Sequence, residues 1–406
     1  IMDVIDDPAR IKRRRAEWFV AMTILAIALI LASTIGRWLG HPDVVPLLWI
    51  LSIAMLLAPV RFVLRARLNS ELRFGTNARA TLLNTLVQYP LTIVLALTLG
   101  NALALCIPVL VGVLVELVYL FIKARPARSD FSPNWRLMPA VLRRIRWLIA
   151  VAAMTSLWTS GDYLVAEFFV PASILGTYYF GYQLAVQPGR LFMVTVTNIL
   201  VPVVRRVGDD PARLRSIIRR LIGTGGFTIA TVNVAMLVGI APLETLIWNG
   251  KWAESVFAVQ ILSVGLTYTA ILGIATAPLL AERRYLESLA SNAMRAVAVI
   301  CGAGVGATVW GNVNGIATSV SMFMALTGIG TIAWLGTRYH LTVVRIIPHL
   351  IQCTLPVIIS GVLAARLGEV LLSAFGTGRV AAIPAGMAAA GCYAGLLLLG
   401  LRLLPS

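Results

Sequence analysis

Arg190 is a cation in the middle of a long uncharged stretch, and its side chain suits the binding of an anion. It stands about 14 residues, or roughly 20 Å, into an apolar span over residues 176–203. A planar guanidinium can hold phosphate or carboxylate oxygens with two hydrogen bonds. Gln183 and Gln187 share its helix face, which predicts a polar cavity wall. Alternatively, Arg190 bonds carbonyl groups that Pro188 frees in the helix.

Asp162 is a carboxylate inside another apolar stretch and is a candidate for ion coupling. An ionisable residue within a membrane span often marks an ion path, so Asp162 could hold a coupling proton or a sodium ion. In the alternative reading its carboxylate is half-buried and accepts hydrogen bonds from the hydroxyls of Thr159 and Ser160. The sequence leaves both readings open.

Three further polar residues in apolar stretches extend the candidate site. Glu116 and Arg295 each lie roughly 9 Å from the cytoplasmic end of a span and could form a gate between two lobes. Long side chains near a helix end can instead extend outward to water. Asn198 could line a sugar-sized cavity, or it could form an interhelical hydrogen bond.

Nothing in the sequence predicts a metal site, a cofactor or ATP hydrolysis. The four cysteines show no paired spacing, and the three histidines are scattered near span ends. Gly302, Gly304 and Gly306 imitate part of a nucleotide-binding loop, but no strand precedes them. We expect these glycines to allow close helix packing instead.

Membrane helices must position these polar residues. The chain of 406 residues is 59% hydrophobic and only 13% charged, whereas soluble domains carry about 25% charged residues. Apolar runs of about 20 residues are long enough to cross a bilayer, and no segment alternates as barrel strands do. The sequence therefore predicts an all-α membrane protein with about twelve spans, at 19–36, 45–64, 80–99, 102–122, 145–168, 176–203, 217–240, 256–280, 289–309, 313–335, 346–366 and 380–402.

Charge in the connections predicts the orientation of these spans. The 34 Lys and Arg against 17 Asp and Glu give a net charge of +17, which could also indicate nucleic-acid binding. However, most of the basic residues fall in alternate connections, as the positive-inside rule describes. We therefore place the basic loops and both termini in the cytoplasm and expect no nucleic-acid partner.

An internal repeat divides the chain. The string Asp-Asp-Pro-Ala-Arg occurs at Asp6–Arg10 and again at Asp209–Arg213. Two spans, 145–168 and 176–203, precede the second copy, whereas none precedes the first. We therefore expect two parallel pseudo-repeat lobes, with two further helices before the first.

A second anchor supports the repeat. Arg65 follows Pro59 by six residues, and Arg284 follows Pro278 by the same spacing. Both pairs come two spans after the Asp-Asp-Pro-Ala-Arg string, so the sequence pairs Arg65 with Arg284.

Several motifs resemble those of a known family. They are the run Asp162–Arg215, the string Trp248–Trp252, and, more weakly, Arg65–Leu68 and Leu72–Phe74. The chain resembles the polysaccharide flippases of the multidrug/oligosaccharidyl-lipid/polysaccharide superfamily, in the branch of lipopolysaccharide, colanic-acid and teichuronic-acid exporters. Members of this family have fourteen helices, in two six-helix lobes around a central cavity and a final pair.

This resemblance implies a division of the chain into four parts. Residues 1–122 would be the last four helices of the first lobe, and residues 123–144 a basic cytoplasmic linker. Residues 145–335 would form the second lobe, and residues 336–406 would contain the final helix pair.

The resemblance also implies a transporter rather than an enzyme, in the inner membrane of a bacterium. Its substrate would be an undecaprenyl-pyrophosphate-linked oligosaccharide used for cell-surface polysaccharide. Membrane lipids, a polysaccharide polymerase and glycosyltransferases would be its partners. A drug or cation antiporter of the same superfamily is one alternative. A membrane glycosyl polymerase or ligase is another, but its catalytic groups would require a larger outer loop than this chain offers.

Overall fold

The computed structural model describes most of the chain, and helices account for nearly all of the described part. The described residues are 45–71, 73–126, 138–207, 216, 220–282, 284–338, 343–375 and 379–403. The predicted span 19–36 and both Asp-Asp-Pro-Ala-Arg strings lie outside these residues.

Eleven α-helices follow one another through the described residues. In chain order they are α1 (Val45–Ser70), α2 (Phe74–Leu99), α3 (Leu103–Ala124), α4 (Met138–Ala166), α5 (Ala172–Val207), α6 (Gly226–Trp248), α7 (Ala253–Ala281), α8 (Tyr285–Val309), α9 (Val313–Arg338), α10 (Val343–Phe375) and α11 (Arg379–Leu403). One turn of π-helix, Leu221–Gly225, leads into α6.

The predicted fold class, an all-α membrane protein, is confirmed. Each of the other eleven predicted spans falls on one of these helices, and in the described residues nine helices are long and apolar enough to cross a membrane. A helix satisfies its own backbone groups, which a lipid environment requires. The chain is therefore a multi-pass membrane protein.

Several helices extend beyond their predicted bounds: α1 ends at Ser70 instead of 64, α10 ends at Phe375 instead of 366, and α4 begins at Met138 instead of 145. The prediction ended the seventh span at residue 240, but α6 continues through Pro242 to Trp248. Proline is tolerated within membrane helices because neighbouring groups satisfy the freed carbonyl. The helix ends where Asn249 adopts a left-handed conformation, with φ of 55°.

The chain divides into two compact units, residues 1–149 and 150–406. In the first unit, α3 packs against both α1 and α2, which touch each other much less. The core of this three-helix group consists of Leu64, Leu68, Ala80, Leu120 and Ala124. The predicted division into four parts, at residues 122, 144 and 335, stays a prediction.

In the second unit, α9 packs against both α7 and α8, and α7 also packs against α5 and α6. Gly302 and Gly306 bring α8 close to α9, as predicted: a Cβ atom on Gly306 would lie 2.5 Å from the Cα atom of Ile316. The largest core of this unit lies around Tyr178, Leu262 and Ile316, all of which are fully buried.

The last two helices, α10 and α11, pack against each other and against α6. Gly361 of α10 lies so close to Val234 of α6 that there is no room for a side chain at this position. The hydroxyl of Tyr393 on α11 donates a hydrogen bond of 3.2 Å to the carbonyl oxygen of Thr231. Close packing and a hydrogen bond together tie the pair to α6.

The group α1–α3 and the group α7–α9 share their turns. The backbone N–H of Arg73 donates to Leu68, and that of Arg284 donates to Leu279 in the same way. Arg73 and Arg284 also have similar backbone angles, with φ of −85° and −81°. Each arginine lies near the glutamate two residues before it, with nitrogen–oxygen distances of 3.3 and 3.5 Å.

The next turn repeats as well. Gly100 and Gly311 both have φ of 60°, and the side-chain oxygen of the following asparagine, Asn101 or Asn312, accepts a backbone N–H bond. In both turns, each residue of the α1–α3 group therefore corresponds to the residue 211 positions later in the α7–α9 group. This corrects the register predicted from proline spacing, because the partner of Arg284 is Arg73 and not Arg65.

Candidate functional site

The structure places Arg190 in the middle of α5, a helix of 36 residues, with an exposed side chain. Within the described residues it makes no hydrogen bond or ion pair, so no contact with a carbonyl freed by Pro188 is observed. Gln187, one turn earlier, is exposed, and Gln183 is half-buried. The three side chains share one helix, whereas the side chain of Asn198 lies outside the described part.

A buried polar pair lies beside this stretch of α5. Gly189 faces Asn233 of α6, and a Cβ atom at Gly189 would be 3.2 Å from the amide oxygen of Asn233. The amide nitrogen of Asn233 donates a 3.1 Å hydrogen bond to Thr267 of α7, while its oxygen has no partner in the described part of the chain. Near Arg190, α5 therefore has polar groups on two sides: the exposed side that carries Arg190 and the buried side that faces Asn233.

Asp162 is fully buried within the second unit. Its Oδ2 atom accepts a hydrogen bond of 2.7 Å from the hydroxyl of Tyr178, and not from the predicted Thr159 or Ser160. The rings of Tyr163 and Tyr182 pack edge-on, with centroids 5.5 Å apart. Ion coupling by Asp162 stays a prediction.

Glu116 of α3 lies at the centre of a charged cluster within the first unit. The carboxylate is fully buried, and Arg65 of α1 donates to its Oε1 atom through both Nε, at 2.8 Å, and Nη2. Its Oε2 atom accepts from Arg61 at 3.2 Å and from Asn84 of α2 at 2.8 Å. All three helices of the group meet at this carboxylate, and the cluster retains one net positive charge.

Arg295 of α8 has a different environment within the second unit. Its side chain is buried, and its guanidinium lies 5.2 Å from the ring centre of Trp158 on α4. Within the described residues its Nε and Nη2 atoms have no hydrogen-bond partner. Glu116 binds partners in its own unit, so the proposed gate between Glu116 and Arg295 stays a prediction.

Sequence reasoning missed the partners of these charges. Arg61, Arg65 and Asn84 lie five to ten residues from a helix end, and no local spacing links any of them to Glu116. With the correct offset of 211 residues, Asn84 corresponds to Arg295 and Glu116 to Thr327. A correct alignment of the repeats was therefore the one signal that could have located both clusters.

No group of His, Cys, Asp and Glu able to hold a metal ion occurs among the described residues. Arginine and amide side chains dominate the sites described above, and such groups bind anionic oxygens.

Comparisons with known proteins agree on one kind of membrane protein. The family described as "Polysaccharide biosynthesis protein" matches residues 16–257, more than half of the chain. The lipopolysaccharide biosynthesis protein WzxC of Escherichia coli K12 is 24% identical over 250 residues, which are 60% of this chain and 50% of that protein. A membrane protein encoded in the cps region of Klebsiella pneumoniae is 22% identical over 257 residues, 61% of this chain and 51% of that protein. The aligned part thus spans about half the length of these curated relatives.

A solved structure shares the fold. The lipid II flippase MurJ, in an inward closed conformation, superposes with a TM-score of 0.72 at 12% identity. The superposition covers 98% of this chain and 85% of MurJ.

Proposed function

Because the chain belongs to the polysaccharide biosynthesis protein family, we propose that it moves a lipid-linked oligosaccharide from the inner to the outer leaflet of a bacterial inner membrane. The oligosaccharide, on undecaprenyl pyrophosphate, would be a repeat unit of cell-surface polysaccharide. The protein acts as a transporter and not as an enzyme. Its shared fold with a lipid II flippase supports a substrate that has a lipid tail.

The observation that carries this proposal is Arg190 near the centre of α5, which is exposed and makes no ion pair or hydrogen bond within the described residues. A cation at the centre of a membrane helix costs about 2.5–3.5 kcal/mol on insertion scales. Such a side chain persists where it faces water or an anion, and a pyrophosphate or an acidic sugar would supply that anion. Gln183 and Gln187 on the same helix can donate hydrogen bonds to sugar hydroxyls.

The test replaces Arg190 in the protein expressed from its native gene. A strain lacking the gene should lose surface polysaccharide and accumulate the lipid-linked oligosaccharide in the inner leaflet. We expect Arg190→Ala to abolish export at near-normal membrane abundance, because the anion loses the cation that binds it. Arg190→Lys should restore part of the export, since an ammonium keeps the charge but not the two-pronged geometry.

Arg190→Gln separates binding from a structural role. An amide can satisfy helix carbonyls without a charge, so a structural arginine would be replaced successfully and an anion-binding one would not. Arg366→Gln is the matched control, because Arg366 is 70% exposed and its partner is Glu369. Normal export by a well-expressed Arg190→Gln protein would contradict a role of Arg190 in anion binding. An unchanged amount of surface polysaccharide in the deletion strain would contradict the proposed function itself.

A further inference from the structure

Among the described residues Arg295 has no counter-charge, whereas the corresponding cluster of the α1–α3 group contains one. With the offset of 211 residues, the cluster Arg61, Arg65, Asn84 and Glu116 corresponds to Leu272, Thr276, Arg295 and Thr327. The first set contains a carboxylate that binds two guanidinium groups. The second set contains one guanidinium and, at the place of the carboxylate, a threonine.

A small cavity occupies the space beside this guanidinium. It has a free volume of only about 10 Å³, room for roughly one water-sized particle, and is lined by Trp158, Thr269, Leu272, Arg295, Ala298, Val299, Met324 and Thr327. Leu272 and Thr327 are the counterparts of Arg61 and Glu116, so the cavity lies where the first unit places its ion pair. A sugar does not fit this narrow space, whereas a single small ion does.

Several buried hydrogen-bond donors of α8 and α9, on a cavity-lining residue or one turn from it, have no partner in the described residues. They include Nε and Nη2 of Arg295. The hydroxyls of Ser291, one turn before Arg295 on α8, and of Thr331, one turn after Thr327 on α9, are also buried without a partner. Their counterparts in the first unit are the apolar Ala80 and Leu120. The second unit thus has extra polar groups where the first unit has none.

The charge of Arg295 cannot be removed by deprotonation, because a guanidinium stays protonated in proteins. The Trp158 ring attracts the cation, yet it accepts no hydrogen bond from Nε or Nη2. Asp162, one turn beyond Trp158 on α4, makes no ion pair with Arg295 and accepts the Tyr178 hydroxyl instead. A water molecule could accept the N–H bonds, but it would leave the charge uncompensated.

We propose that this cavity binds one chloride-sized anion, with Arg295 as its counter-charge and Thr327 at its edge. The anion takes the place that the Glu116 carboxylate occupies in the first unit. It neutralises the guanidinium and accepts hydrogen bonds from the Nε and Nη2 groups of Arg295. This site is separate from Arg190 and does not depend on which substrate the protein moves.

The experiment measures binding of ³⁶Cl⁻ to the full-length protein in lipid nanodiscs, with gluconate as the replacement anion at constant ionic strength. We expect saturable binding of one chloride per chain, displaced by bromide. The Tm should rise as chloride replaces gluconate, because a ligand of the folded state stabilises it. Failure of the wild-type protein to bind ³⁶Cl⁻ in a saturable manner would overturn the proposal.

Two variants locate the site. Arg295→Gln removes the charge and should weaken ³⁶Cl⁻ binding at least about tenfold. Thr327→Glu introduces the carboxylate that the first unit has, so it should pair with Arg295, exclude chloride and make the Tm independent of chloride. Because Thr327→Glu supplies a counter-charge, it remains informative if Arg295→Gln does not fold.

Arg366→Gln serves as the control for loss of a positive charge and should bind ³⁶Cl⁻ as the wild type does. Wild-type chloride affinity in a folded Thr327→Glu protein, or loss of binding in Arg366→Gln, would show that chloride binds elsewhere and would contradict the assignment.

Discussion

In both the α1–α3 group and the α7–α9 group the third helix packs against the other two, and the turns are the same. The two groups differ in how a buried charge is balanced. In α1–α3 a carboxylate at Glu116 gathers two arginines and an asparagine. In α7–α9 the corresponding position is Thr327, and the asparagine is replaced by the cation Arg295. Both clusters have a net charge of +1, but only the first contains its own ion pair.

This difference shows that the same helix arrangement can contain either a buried ion pair or a buried cation without a carboxylate. In the first group, ionic hydrogen bonds connect three helices, and the side chains of Arg61 and Arg65 remain 25% and 28% exposed. In the second group, close contact through Gly302 and Gly306 holds α8 against α9. Ionic hydrogen bonds therefore add to the apolar core of the first group, whereas close packing makes the contact between α8 and α9 in the second.

The largest effect should come from removing the carboxylate. Glu116→Ala leaves two guanidinium groups without a counter-charge, and we expect it to lower the free energy of unfolding by about 3 kcal/mol. The matched change Thr327→Ala should cost less than about 1 kcal/mol, because Thr327 bonds only the Phe323 carbonyl of its own helix. Unfolding by denaturing detergent measures both. Equal losses in the two variants would remove the contrast between the groups.

The second test concerns packing. A Cβ atom on Gly306 would meet backbone atoms of α9, so Gly306→Ala should destabilise the protein by about 2 kcal/mol. In the other group, a Cβ atom on Gly112 would lie 3.0 Å from the side-chain oxygen of Asn84, which can move. We therefore expect Gly112→Ala to cost only about 1 kcal/mol. Thermal unfolding in nanodiscs measures which variant loses more stability. A larger loss in Gly112→Ala than in Gly306→Ala would contradict packing as the main constraint on α8 and α9.

The smallest effect separates the two arginines that bind Glu116. Arg65 donates twice to one oxygen, whereas Arg61 donates once at 3.2 Å. Arg65→Lys should therefore lower stability by about 1 kcal/mol, and Arg61→Lys by less than about 0.5 kcal/mol, because an ammonium cannot reproduce the fork. Both are measured by the same detergent unfolding. If Arg61→Lys proves the more costly change, the geometry of the cluster is not what stabilises α1 against α3.

The sequence predicted the helices well because their signal is local. Apolar runs long enough for a bilayer identify α1 to α11, but the ends of α1, α6 and α10 and the start of α4 lie six to nine residues beyond the predicted bounds. The family resemblance, too, rested on short motifs that can be read along the chain.

The sites were predicted less completely because their residues are brought together from distant parts of the chain. Arg190 with Gln183 and Gln187 lies on one helix, so spacing alone placed these side chains on a common face. The partner of Asp162 is Tyr178 on the next helix, and no local pattern distinguishes that tyrosine from its neighbours Tyr179 and Tyr182.

By itself, the sequence determined that this chain is a multi-pass helical membrane protein, because hydrophobic length and the need to satisfy every backbone group leave no other choice for such segments. It also revealed that a repeat exists. Only the tertiary structure decided the register of that repeat. The proline spacing pairs Arg284 with Arg65, whereas the hydrogen bonds of the turns pair it with Arg73. Only the tertiary structure, likewise, decided which charges meet. Glu116 reaches Arg65 across 51 positions of the chain because α3 packs against α1, whereas Arg295 has no carboxylate within reach in the described residues.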